Sequence, residues 1–163
     1  MTRRRFNIIA RKHADQLYRF VLFHLQEPES SQDIVQEAFL RLWEHRKEVQ
    51  EERAVKWLFT TSRNLVLNHL RHQKVVREHA VEVNYCSYVE NKGLENNDLI
   101  CQCLEGLPEI QQTVMLLRDL EGYDYKSIGE ITGLKESQVK VYLFRARKKF
   151  KLAYQQLENE YQG

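Results

Sequence analysis

A chain of 163 residues, 42% hydrophobic and 29% charged, suits one ordinary domain or two small ones and is too apolar to stay unfolded. Its net charge of +2 excludes a general polycation, but the charge is unevenly placed: residues 1–75 hold 14 Lys/Arg against 9 Asp/Glu, residues 76–104 hold 2 against 5, and residues 105–163 hold 9 against 9. A basic first third, an acidic middle and a basic late helix point to two separate nucleic-acid contacts.

Two prolines and six glycines punctuate the sequence, and no stretch alternates as a strand does, so the predicted fold is all-α. A first helix spans His13 to Leu25, with Leu17, Phe20, Val21 and Leu25 on its buried side. It ends near Glu27-Pro28 because the residue before a proline leaves the helical region. Ser30 or Ser31 caps the next helix, which runs to about Arg46. Its apolar stripe is Ile34, Val35, Ala38, Phe39, Leu42 and Trp43, the two aromatic residues being expected in the core rather than at an interface. A charged connection, Arg46 to Arg53, leads to a third helix over about Ala54 to Gln73, with Trp57, Leu58, Thr61, Leu65 and Leu70 as its expected core contacts.

Periodicity fails over residues 76–97, where acids, amides and turn-prone pairs gather; this is the predicted flexible linker, with room for one short helical piece. Packing resumes near Asp98. Leu107-Pro108-Glu109 opens a helix carrying Val114, Leu116, Leu117 and Leu120, and Gly122 stops it. From Tyr125 the pattern is a short helix anchored by Ile128, Ile131 and Leu134, a turn at Gly133, and a second helix with Val139, Leu143, Ala146 and Phe150 at buried spacing. Lys140, Arg145, Arg147, Lys148, Lys149 and Lys151 occupy the rest of its surface, with no acid between Glu136 and Glu158. Such a pair is how a helix-turn-helix offers a recognition helix to DNA. The predicted organisation is therefore two small helical domains, 8–75 and 98–155, joined by the linker 76–97.

The three cysteines, Cys86, Cys101 and Cys103, accompany no signal peptide, and no apolar run reaches the length of a membrane span, so a reduced, cytoplasmic protein with no direct membrane insertion is expected. No Cys/His set has zinc-site spacing, and neither a metal nor a cofactor is expected. No nucleophile–base pair or phosphate loop is visible, which argues against an enzyme.

Two segments carry a family resemblance. Ser31-Gln-Asp-Ile-Val-Gln-Glu-Ala-Phe-Leu-Arg-Leu-Trp43 and Trp57-Leu-Phe-Thr-Thr-Ser-Arg-Asn64 resemble region 2 of bacterial sigma factors. Leu107-Pro-Glu, Leu117-Arg-Asp-Leu-Glu-Gly122 and Val139-Lys-Val-Tyr-Leu-Phe-Arg-Ala-Arg147 resemble region 4. The order and the linker resemble the extracytoplasmic-function subfamily of the sigma-70 family. The resemblance implies core RNA polymerase and promoter DNA as partners, with an anti-sigma factor as an expected third. It implies that region 2 grips the polymerase and opens the −10 element, while region 4 reads the −35 element as duplex.

Residue by residue, the resemblance assigns Asp33, Gln36, Glu37 and Leu40 to the polymerase-binding face; their i, i+3, i+4, i+7 spacing places them together, away from Ile34/Ala38/Leu42. Asn64 is assigned to an extruded −10 base, with Arg63, Asn68 and Arg71 beside it; as a bare residue it reads equally well as a surface amide. The Arg46–Arg53 connection matches a loop that holds that base in a pocket, but here it has Val49 and no aromatic residue, so stacking from within it looks weak. Ser137, Gln138, Lys140, Val141, Phe144, Arg145, Arg147 and Lys148 are assigned to the −35 duplex. Arg147 and Lys148 are expected on phosphates, and Phe144 either meets DNA or packs on the preceding helix. Ser127, Gly129, Thr132 and Tyr142 depart from the usual pattern. Gly129 within a helix costs roughly 1 kcal/mol relative to alanine, a modest weakening. Two other functions remain open: a stand-alone helix-turn-helix regulator, and a helical adaptor that binds polymerase without reading DNA.

Overall fold

The computed structural model describes residues 1–73 and 97–163, and among these every regular element is helical. The chain divides into two compact units, Met1–Tyr85 and Cys86–Gly163. The predicted linker and its short helical piece fall on residues outside the described ones, apart from Asn97, which opens a helix.

The first unit is a bundle of α1 (Arg3–Leu25), α2 (Pro28–Glu44) and α3 (Ala54–Gln73), each packed on the other two, with a single 3-10 turn, Glu51–Arg53, before α3. Leu17, Phe20, Val21 and Leu25 meet Ile34, Val35, Ala38 and Leu42 and the α3 residues Leu58, Phe59 and Val66, all buried. At the centre the Phe20 and Phe59 rings pack edge to face, 5.2 Å apart.

Three local expectations are corrected here. α1 begins at Arg3, not His13: Thr2 caps it by accepting the Arg5 N–H at 3.3 Å. Arg3, Arg4, Arg5, Arg11 and Lys12 mask the period of this stretch, but they lie on its solvent side and Phe6 supplies an apolar anchor. Neither Ser30 nor Ser31 caps α2, because Pro28 is its first residue; α1 has already ended on Gln26, which takes the left-handed conformation (φ 64°) and donates its N–H to the Leu22 carbonyl. A proline expected to terminate one helix instead opens the next, where its missing N–H costs nothing. The buried stripe of α3 is Ala54, Leu58, Phe59, Ser62 and Val66, so Trp57, Thr61, Leu65 and Leu70 are only half-buried.

Glu27 ties the α1–α2 junction to the far end of α3. Its carboxylate accepts the Gln73 amide at 2.8 Å and the Ser30 hydroxyl at 2.9 Å, with His69 Nε2 at 3.6 Å. Burial pushes the Glu27 pKa up, but the bonds from Gln73, Ser30 and His69 outweigh it and leave the carboxyl below its ordinary value.

The second unit is built on α7 (Glu136–Gln162), against which α4 (Asn97–Glu105), α5 (Glu109–Met115) and α6 (Tyr125–Thr132) pack. Leu104, Leu107, Val114, Leu116, Leu117, Ile128, Ile131, Val139, Leu143 and Ala146 fill its core, while the expected core residue Leu120 is half-buried. Pro108 takes the N-cap position of α5. Past Met115 the helix widens into a π-type turn, Leu116–Leu120, in which the Glu121 N–H reaches back to the Leu116 carbonyl at 3.0 Å. Gly122, at φ 75°, ends it as expected. Asp124 caps α6 by accepting the Ser127 N–H at 2.7 Å, and Gly133 turns the chain toward α7 at φ 76°. Burial, with a smaller contribution from Glu121, pushes the Tyr123 phenol up to about 12, so it stays neutral in the fold. Cys103 is a free, buried thiol whose pKa burial raises.

Candidate nucleic-acid interface

On α7 the inner and outer faces are cleanly separated. Val139, Leu143 and Ala146 are buried, and Ser137, Gln138, Lys140, Val141, Phe144, Arg145, Arg147 and Lys148 are all exposed. Phe144 is 70% exposed and Val141 46%, so the option of Phe144 packing on the preceding helix is excluded. An aromatic ring standing in water beside cations, on a helix whose other side is full, is poised to meet apolar groups such as thymine methyls in a major groove.

Two of the assigned residues already have structural duties. Gln138 accepts the Lys135 N–H at 2.8 Å and so closes the first turn of α7. Arg147 holds Asp119 of the π-type turn through two bonds, 2.5 and 3.2 Å, which raises its pKa and clamps α7 to that turn. Arg147 is therefore engaged within the fold while remaining exposed on the face assigned to phosphates. Lys148→Ala is expected to weaken duplex binding and to lower the slope of log affinity against log salt by about 1, while Arg147→Ala leaves that slope nearly unchanged. Titrating both variants, assembled on polymerase, across a salt series checks this; equal slopes would make Arg147 a phosphate contact.

Sequence reasoning missed one neighbour of this surface, Tyr125. Tyr125 and Lys151 join Lys140, Phe144 and Lys148 along an open groove of about 600 Å³. Arg118 lies 4.8 Å from the Tyr125 ring centre on one side and Lys140 lies 5.4 Å from it. No helical spacing links Tyr125 to α7, so only the fold brings it there.

On α3 of the other unit, Asn64, Asn68 and Arg71 are exposed opposite the Phe59/Ser62/Val66 stripe, and Arg63, beside that stripe, is half-buried. Trp57 precedes Asn64 by seven residues and so shares its side of the helix, about 10 Å along the axis. Trp57 also lines a cleft of about 360 Å³ with His45, Glu48, Val49, Gln50 and Arg53. The His45 and Trp57 rings stand 6.0 Å apart at 36°. The loop itself has no aromatic residue; His45, the C-cap of α2, and Trp57 of α3 flank it.

On α2, Asp33, Gln36 and Leu40 are exposed and Glu37 is half-buried, pairing with Arg41 at 2.6 Å. Leu40 is 53% exposed amid these polar groups. Phe39 and Trp43, expected in the core, are half-buried: the ring of Phe6 covers them, 6.2 and 5.1 Å away respectively.

Among the described residues no His, Cys, Asp or Glu group could hold a metal ion, and no helix is long and apolar enough to cross a membrane. Two family models match: sigma-70 region 2 over residues 9–75 and sigma-70 region 4 over residues 98–150. The ECF RNA polymerase sigma factor SigM of Bacillus subtilis is 24% identical over 157 residues, covering 93% of this chain and 96% of SigM. RNA polymerase sigma factor SigV of the same organism is 28% identical over 138 residues, covering 83% and 82%. Among solved structures, the sigma factor RpoE in complex with the anti-sigma factor NepR from Bartonella quintana shares the fold, with a TM-score of 0.76 at 20% identity, over 92% of this chain and 96% of that one.

Proposed function

The chain belongs to the extracytoplasmic-function subfamily of the sigma-70 family, and from that premise we propose how its two units divide the work of directing core RNA polymerase to promoters. The α2 face of Asp33, Gln36, Glu37 and Leu40 docks on the polymerase: one exposed leucine inside a polar ring buries apolar area while the ring fixes register. The outer face of α7 seats in the −35 major groove, where Arg145 addresses base edges, Val141 and Phe144 meet apolar groups, and Lys140 and Lys148 hold phosphates. Asn64, Asn68 and Arg71 track the separated −10 strand, and an extruded base enters the cleft lined by His45, Val49 and Trp57. Strand opening is driven by binding alone, because unstacked bases find these partners only once the duplex has parted.

The observation that carries the −10 assignment is the position of Trp57. Its ring lines a cleft wide enough for one base, and it shares a helix side with Asn64. The −35 assignment is supported by the exposure of Phe144 on a helix whose inner face is fully buried. Asn64→Ala and Trp57→Ala are expected to leave polymerase binding intact and to reduce open-complex formation, Trp57→Ala by tenfold or more, since a base stacked on an aromatic side chain is worth ~1–3 kcal/mol. Potassium permanganate footprinting of promoter complexes with core enzyme reads both effects. Normal strand opening by both variants removes this cleft from the mechanism.

A gel shift with and without core enzyme separates this function from that of a stand-alone regulator, which would bind its duplex tightly by itself. Work on polymerase and chromosome places the protein in the cytoplasm. Because the RpoE structure is a complex with an anti-sigma factor, we extend to this chain a partner of the same kind, one that covers the exposed apolar residues of α2 or α7 when the factor is idle.

A further inference from the structure

The first two turns of α1 precede the stretch that matches sigma-70 region 2, which starts at residue 9, and no role in promoter opening attaches to them. They nevertheless reach the connection that walls the α3 cleft. Phe6 packs edge-on against Trp43, 5.1 Å between ring centres, and touches Phe39 at 6.2 Å. The guanidinium of Arg46 lies over the same Trp43 ring, 4.1 Å from its centre, and donates to the Trp43 carbonyl at 2.7 Å. The preceding residue of α1, Arg5, reaches Glu51 at 3.2 Å, in the 3-10 turn at the far end of the same connection.

The two contacts therefore grip the connection at both ends, Arg46 through the aromatic stack and Glu51 through the ion pair. Between those ends lie Glu48, Val49 and Gln50, three of the cleft's lining residues. Within the connection, the Glu48 and Val49 N–H groups both return to the His45 carbonyl, 2.9 and 3.0 Å, and the Arg53 N–H returns to Gln50, 3.0 Å. It is held at each edge by short turns, and across its outer side by α1.

We infer that Phe6 and Arg5 are positioning residues for capture of the unpaired −10 base: they set the shape of the His45/Val49/Trp57 cleft without touching DNA. The inference rests on the assignment of that cleft to the −10 base. Phe6 carries the larger share, because its ring contacts are partly shielded from water, whereas Arg5–Glu51 is an exposed pair with each side chain at least 40% accessible. Neither residue belongs to the polymerase-docking face, so the loss should appear in base capture and not in assembly.

The test is a double-mutant cycle in holoenzyme assembled from full-length protein and core polymerase. The probe is a single-stranded −10 oligonucleotide carrying 2-aminopurine at the extruded position. Phe6→Ala is expected to bind core normally and to weaken the oligonucleotide roughly tenfold, with Phe6→Leu recovering most of that loss. Trp57→Ala alone weakens binding at least as much, and adding Phe6→Ala to it costs little more, because a brace acts only through the cleft it shapes. Arg5→Glu lowers capture severalfold and Arg5→Glu combined with Glu51→Arg restores it. If Trp57→Ala binds the probe normally, the cleft assignment falls and the brace with it. If Trp57→Ala weakens binding but Phe6→Ala does not, or if the two losses simply add, the cleft stands and the brace is overturned.

Discussion

Phe59→Ala is expected to destabilise the N-terminal unit by about 3–5 kcal/mol, close to the whole stability of a bundle this small. Phe59 is fully buried and its ring is the edge-to-face partner of Phe20 at the point where α1 and α3 cross. Truncation leaves a void between two backbones fixed by their own helices, so the lost transfer energy is joined by the cost of an unfilled space. The chain has two tryptophans, Trp43 and Trp57, and both lie in this unit, so their fluorescence follows its unfolding alone. In urea the tryptophan transition should move to much lower denaturant, while circular dichroism keeps a separate transition from the other unit. Leu65→Ala is the internal comparison. Leu65 is half-buried, outside the observed stripe, and should cost about 1 kcal/mol. Similar shifts for the two variants would mean that the buried side of α3 has been placed wrongly.

That comparison also marks where sequence periodicity loses resolution. Three long helices, the late helix pair and the segregation of Val139, Leu143 and Ala146 from the basic face of α7 were all legible, because each repeats at helical spacing over several turns. The phase of α3 was not: Trp57, Leu58 and Phe59 are consecutive and apolar, and a run of three fits two helical phases equally well until the facing helix chooses one. The start of α1 was hidden for an electrostatic reason. Five cations among its first ten residues dilute the apolar signal to Phe6, Ile8 and Ile9, and only the ring cluster with Phe39 and Trp43 shows why the helix extends that far. Site residues divide in the same way. Those assigned to α2, α3 and α7 lie on solvent-facing sides because each helix has a buried side that excludes them. The engagement of Arg147 with Asp119, and the aromatic walls at His45 and Trp57, depend on elements brought together by folding, and no spacing within one segment encodes such a meeting.

Gly129→Ala tests the sharpest conflict between local propensity and packing. By propensity alone the substitution stabilises α6 by roughly 1 kcal/mol. The fold predicts the opposite sign. A Cβ built on Gly129 falls 2.7 Å from the Leu134 carbonyl oxygen, a backbone atom that cannot swing aside as a side-chain tip could. That oxygen is fixed from both directions: Gly133 turns the chain at φ 76° with its N–H on the Gly129 carbonyl at 2.8 Å, and the start of α7 is closed by Gln138 on the Lys135 N–H. Relief requires the α6–α7 turn to open, moving the recognition helix relative to the helix it is braced on. Such overpacking costs ~1–3 kcal/mol, which outweighs the propensity gain. The variant is therefore expected to melt earlier and, on holoenzyme, to bind the −35 duplex more weakly while still capturing the −10 oligonucleotide. Gly133→Ala provides the contrast, since nothing lies within 4 Å of its added Cβ and only the positive φ opposes it. Its cost should be felt in stability more than in duplex affinity. A higher melting temperature for Gly129→Ala with undiminished −35 binding would show that the turn yields freely, and that the close approach of Gly129 to Leu134 does not set the pose of α7.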